Sequence, residues 1–341
     1  MNYDGLSRQE LLKHVGHMDQ LAGVKLLEAA DGLARDSRLL QVWTGSGLTF
    51  DLLADRALDI SACRYKGIPL AWVSSVGEVH PAYYDSRGLG WLRSFPGGLL
   101  ATCGLDHWGP PTSDLGEEFG LHGRVSNLPA RYVSYRAGWM GEQYELEITG
   151  EVRQAAVFGE NLVLRRRIST RLGSNMIQID DVVTNEGFES QPHMILYHFN
   201  LGFPLLSPDT HLHVDSQETI PRDAEAESDL ENWMNFQPPT AGYQEQVFRH
   251  KPLADEDGRV AVEVSNTNLG LGLRLTYANA NLPYLVQWKM MGEGMYVLGV
   301  EPVNCGVLEG RGTARERGSL PHLEPGESRQ YALTVEVIED R

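Results

Sequence analysis

The feature that most constrains this chain is a rhythm of short apolar runs, each cut off by Gly, Pro or a polar turn. It starts near Leu39 and continues to Val337. Leu39–Trp43 ends in Thr44-Gly45-Ser46-Gly47, and Leu48–Leu53, Leu58–Tyr65 and Leu70–Ser74 follow. The pattern returns in Tyr144–Val152, Leu162–Thr170, Met176–Thr184, Met194–Phe199, Val260–Val264, Gly272–Tyr277, Leu285–Lys289, Tyr296–Val300 and Gln330–Val337. Such runs are too short for core helices, and Ile177-Gln178-Ile179-Asp180 alternates with the period of a half-buried strand. The expected class is therefore all-β, a large antiparallel sandwich or barrel. The 36 glycines and 17 prolines suit its turns.

One helix is expected, at the start. Ser7 and Glu10 form a capping-box pattern ahead of Leu11, Leu12 and Val15. Nothing reads as an interdomain linker, so residues 1–341 are expected to form one β domain with residues 1–23 as a helical extension. Ser216–Tyr243 is polar, acidic and poor in strand signals, and reads as a long loop; loops of that length usually serve function.

Charge narrows the function. With 29 basic and 46 acidic residues the formal charge is −17, a field that repels phosphate backbones and anionic membranes. Nucleic acid and membrane are thus not expected partners. Cys63, Cys103 and Cys305 are too few and too scattered for a disulfide framework or a zinc knuckle. The polar N-terminus lacks the apolar core of a signal peptide, which makes the cytoplasm the default expectation.

Three segments could carry chemistry. His122 sits between glycines in Gly120-Leu121-His122-Gly123, either as a turn histidine or at a place where backbone approaches a ligand. His198 closes the apolar run Met194–Phe199, either as a satisfied core histidine or as a tuned acid–base group. Glu301 ends the run Tyr296–Val300 just before Pro302, which restricts it to extended geometry. A carboxylate at a buried strand end is usually paired or functional. Of the lesser features, Trp288 reads as core more than as a sugar platform. His211 and His213 share a strand face but lack a third metal ligand.

In this order the segments resemble the galactose mutarotase (aldose 1-epimerase) superfamily, over roughly residues 24–338. Arg93 to Gly98 looks like its Arg followed by Gly-Gly, His122-Gly123 like its first His-Gly, and Leu196–Asn200 like the strand of its catalytic histidine. Val300-Glu301-Pro302 looks like its catalytic-glutamate strand, and Glu245 stands where it usually has Asp. The resemblance implies a large antiparallel β-supersandwich and a cofactor-free ring opening of an aldose. His198 and Glu301 are then the catalytic pair, with His198 protonated and Glu301 ionised. Arg93, His122, Gln287 and Glu245 would bind the sugar, with Arg56 a further candidate and Arg124 a possible phosphate ligand. The implied partner is a small-molecule sugar, expected to be neutral because the chain is so acidic, and the implied assembly is a monomer or homodimer. The alternatives are a carbohydrate sensor on the same fold and an isomerase or epimerase acting at an α-carbon. A metal isomerase built on His211 and His213 is less favoured.

Overall fold

The computed structural model describes residue 3 and residues 6–339. Strands dominate, in antiparallel sheets of eight, six and five strands and two small ribbons. The eight-stranded sheet runs Thr210–Val214, Arg259–Asn266, Leu271–Ala278, Ser328–Glu339, Met176–Asn185, Asn161–Arg171, Gln143–Ala155, Arg131–Met140. The six-stranded sheet, called the site sheet below, runs Ser216–Pro221, Gln246–Pro252, Tyr284–Gly292, Met295–Val303, Leu196–Gly202, Leu100–Cys103. The five-stranded sheet follows chain order from Gly23–Glu28 to Ile68–Pro69.

Side-chain alternation explains the packing. In the strand Leu196–Gly202, Tyr197, Phe199 and Leu201 join the large core with Ile179, Leu164 and Leu298, whereas Leu196 belongs to a second cluster on the opposite face. That cluster contains Trp91, Phe95, Trp108, Val286 and Val303. The site sheet is thus covered on both faces, which is why its central strands read as nearly unbroken apolar runs.

A buried ion cluster ties the two large sheets together. Arg166 bonds Asp181 through Nε (2.9 Å) and Nη2 (2.7 Å), Asp59 through Nη1 (2.8 Å) and the Thr102 hydroxyl (2.8 Å). The Tyr197 hydroxyl donates to Asp181 at 2.8 Å. Every charge is paired and hydrogen-bonded, the condition for ions to persist in a dry interior.

Three expectations change. Ser216–Tyr243 is no structureless loop: it holds the edge strand Ser216–Pro221, the short helix Ala224–Ser228 and a 3-10 turn at Leu230–Asn232. Strand pairing with Gln246–Pro252 supplies the order that its polar sequence conceals. Leu70–Ser74 lies beside the site sheet through single bridges, Ala71 to Leu201 and Val73 to Gly97, and forms no full strand. The N-terminal capping box is present, but its helix spans only Arg8–Leu12, so Val15 lies beyond it. No described helix is long and apolar enough to cross a membrane. Cys63, Cys103 and Cys305 are buried free thiols.

Candidate active site

Strand register brings the two leading candidates together. Leu196 pairs with Val303 and Phe199 with Val300, which sets His198 opposite Glu301; on the far side Val286 pairs with Glu301. His198 Nε2 lies 3.3 Å from Glu301 Oε1, and both residues are almost fully buried. They line a cavity of about 460 Å³, within the usual range of roughly 300–1,000 Å³ for small-ligand clefts.

The walls are largely aromatic and aliphatic. Trp91 stacks on Phe95 at 4.2 Å, and Phe95 and Trp288 each stand 5.5 Å from the His198 ring by centroid. His122 meets His198 edge-on, also at 5.5 Å. His122 holds φ at +59°, a conformation few non-glycine residues adopt, and its amide donates to Gly109 O at 2.9 Å. Such strain tends to be kept where it serves a site. Trp288 belongs to the cavity wall more than to the core, contrary to its sequence reading.

Glu245 also lines the cavity. One of its oxygens accepts from Trp288 Nε1 (2.9 Å) and the other from Arg222 Nη2 (3.0 Å). Arg222 in turn donates from Nε to Asp223 at 2.7 Å. Nothing around Arg222 in the sequence distinguishes it from a solvated arginine; it reaches the cavity because Ser216–Pro221 pairs onto the sheet edge.

Three expected binding residues lie elsewhere. Gln287 falls between Val286 and Trp288, so alternation turns it to the opposite face, where it accepts from His250 Nε2 (3.1 Å) and donates to Trp233 O (2.8 Å). Arg93 ends a short 3-10 turn and is exposed, outside the cavity lining. Arg56 is buried and donates to Val79 O at 3.0 Å, outside the cavity lining. Arg124 is committed to Glu117 and Glu160. His211 and His213 are exposed, and among the described residues no group of three His, Cys, Asp or Glu could hold a metal.

Burial also reverses the expected charges. It pushes the His198 imidazole down to about 3 and holds the Glu301 carboxyl well above its usual range, with nearby Glu245 adding to the latter. Burial and the neighbouring His198 hold His122 well below the usual imidazole value. At neutral pH the cleft therefore favours a neutral imidazole beside a protonated carboxyl over an ion pair. Desolvation is the leading cause for both groups.

Solved structures share this fold. A protein from Klebsiella pneumoniae described as a "putative aldose 1-epimerase" is 29% identical, with a TM-score of 0.87 over 95% of this chain and 86% of its own. A galactose mutarotase-like protein from Clostridium acetobutylicum aligns with a TM-score of 0.66 at 12% identity, covering 94% of this chain and 99% of that one. Galactose 1-epimerase from Lactobacillus acidophilus aligns at 0.61 and 12% identity, covering 94% and 100%. The architecture is thus that of the galactose mutarotase superfamily. No curated protein matches the sequence. A family model described as "Domain of unknown function (DUF4432)" matches residues 34–337.

Proposed function

This chain belongs to the DUF4432 family, and from the chemistry of its cleft we propose that it is an aldose 1-epimerase-like enzyme interconverting the anomers of a free sugar. The observation that carries the reading is the facing of His198 and Glu301 across adjacent strands, at 3.3 Å, inside an aromatic cavity. The 29%-identical neighbour described as a "putative aldose 1-epimerase" supports it.

Anomerisation needs one proton donor and one acceptor, and the neutral pair supplies one of each. His198 takes the proton from the anomeric hydroxyl as the Glu301 carboxyl gives its proton to the ring oxygen. The C1–O5 bond breaks, a C1=O carbonyl forms, and the pair becomes an imidazolium beside a carboxylate. Rotation about C1–C2 presents the other face of the aldehyde, and closure returns both protons. These roles are the reverse of those implied by the family resemblance, because the desolvated cleft keeps both groups uncharged at rest. Each positioned proton transfer typically contributes about 10²–10⁴-fold. Trp288, Trp91 and Phe95 offer flat apolar faces to the C–H side of a sugar ring, while Glu245 and His122 can hold hydroxyls.

A neutral sugar suits the lining better than a phosphorylated one. Among the described residues Arg222 is the single Lys or Arg side chain lining the cavity, and Glu245 and Asp223 already engage it. A substrate dianion would have to compete with two carboxylates for it.

Glu301→Gln is expected to abolish catalysed anomerisation and leave the fold intact. Polarimetry on freshly dissolved pure anomers from a sugar panel measures the first, circular dichroism the second. A mutant as active as wild type would remove Glu301 from the mechanism.

A further inference from the structure

Asn200 follows His198 by two positions on the same strand, and its side chain is completely buried. Its amide orientation is set by its donors: Nδ2 bonds Gly98 O at 3.1 Å and His198 O at 2.9 Å. Two carbonyls can only accept, so the nitrogen must be on that side and Oδ1 on the other. Oδ1 is then a buried acceptor with no hydrogen-bond partner. Nδ1 of His198 is likewise buried and makes no hydrogen bond. An unmet buried donor or acceptor costs about 1–3 kcal/mol. One orphaned acceptor and one orphaned ring nitrogen, two residues apart on one strand face, resolve each other if Nδ1 carries the proton.

We propose that Asn200 is a positioning residue that fixes His198 as the Nδ1–H tautomer, leaving the Nε2 lone pair turned toward Glu301. The Asn200 side chain also partly offsets the effect of burial on the imidazole, as an acceptor facing a ring N–H should. With the tautomer set, the direction of proton transfer in the cleft is set as well. Nε2 can only accept, so the proton between the two groups belongs to the Glu301 carboxyl. The opposite tautomer would point an N–H at Glu301, demand a carboxylate there, and leave Nδ1 and Asn200 Oδ1 as two unmet acceptors. The catalytic consequence rests on the proposed anomerase reading; the tautomer does not.

The test is nitrogen NMR of protein carrying ¹⁵N-labelled histidine, with the His198 signals assigned by difference against His198→Gln. Wild type is expected to show a protonated Nδ1 and an unprotonated Nε2 at neutral pH. Asn200→Ala should shift His198 to the other tautomer or a mixture, whereas Asn200→Asp, which keeps an acceptor oxygen, should preserve Nδ1–H. In anomerisation assays Asn200→Ala should lower kcat about tenfold or more with KM little changed, the mark of a group acting in the transition state. A wild-type His198 protonated on Nε2, or a tautomer indifferent to Asn200→Ala, would overturn the proposal. A protein with the expected tautomer and no activity on any sugar would instead sink the anomerase reading and leave the role of Asn200 standing.

Discussion

Gly299 shows how a missing side chain can shape a site. A Cβ there would lie 2.3 Å from Glu301 Oε1 and 2.9 Å from Trp288 Cβ. Its backbone is not in the left-handed region, so any residue could adopt the conformation; space, not φ, demands glycine. Gly299→Ala should push the Glu301 carboxylate off its station. We expect anomerisation to fall on the order of 10²-fold, the usual penalty for an ångström-scale misplacement. Stability should fall by about 1–3 kcal/mol from overpacking. Urea titration reads the second, and the stability penalty should shrink in a Glu301→Ala background, where one of the two clashes is gone. An equal penalty in both backgrounds would refute the idea that Glu301 occupies this space. At this scale Glu301 is the more legible residue of the pair, because a carboxylate ending an apolar run before proline is conspicuous in sequence. His198 is not: a core histidine leaves the same trace.

Within single elements, period-two alternation decides who meets the ligand. Gln287 and Trp288 are neighbours in sequence and occupy opposite faces of one strand. The polar residue, the more natural sugar contact by composition, faces His250 and Trp233, and the tryptophan lines the cavity. Gln287→Ala should therefore leave ligand affinity unchanged while destabilising the fold. It strands the His250 ring nitrogen and the Trp233 carbonyl, at about 1–3 kcal/mol for each unmet group. Calorimetric titration beside thermal melting separates the two effects; weakened binding with unchanged stability would show the strand register to be wrong. Alternation was visible in the sequence, but the face that would be the site was not, since both faces of this sheet are buried. The same limit hid Arg222. The strand just before it, Ser216–Pro221, carries almost no hydrophobic signal and is ordered by pairing with Gln246–Pro252.

For the molecule as a whole, burying histidines without charge has a pH signature. Burial pushes His107, His193 and His250 down to about 4 and His198 to about 3, from an ordinary value of about 6.5. As pH falls from 6.5 toward 4, the unfolded chain takes up protons at these positions and the native one does not, so stability is lost on acidification. Glu301 acts in the opposite sense, because the native state holds a proton above pH 4.5 that the unfolded chain releases. Asp51, Asp59 and Asp106, also raised by burial, add to that opposing effect. Burial holds His122 low as well, and the five histidines together outweigh the carboxyls near pH 5.5. Unfolding should be accompanied by net proton uptake, and stability should rise with pH at about 1.4 kcal/mol per pH unit for each net proton. Urea unfolding between pH 5 and 6.5 measures the slope; a flat or falling profile would mean that these rings are not buried neutral.

Sequence by itself determined the class of fold, the strand ladder and the short list containing His198, Glu301 and His122. Each of those depends on local periodicity, turn chemistry or the cost of placing a charge at a buried strand end, all of which are written along the chain. Tertiary structure alone decided which side chains share a cavity and in what protonation state. Arg93, Arg56 and Gln287 are excluded from the cavity and Arg222 and Trp288 admitted by strand pairing across long sequence separations. Burial favours a neutral pair over the expected ion pair, because desolvation depends on everything packed around a group, and no single segment carries that information.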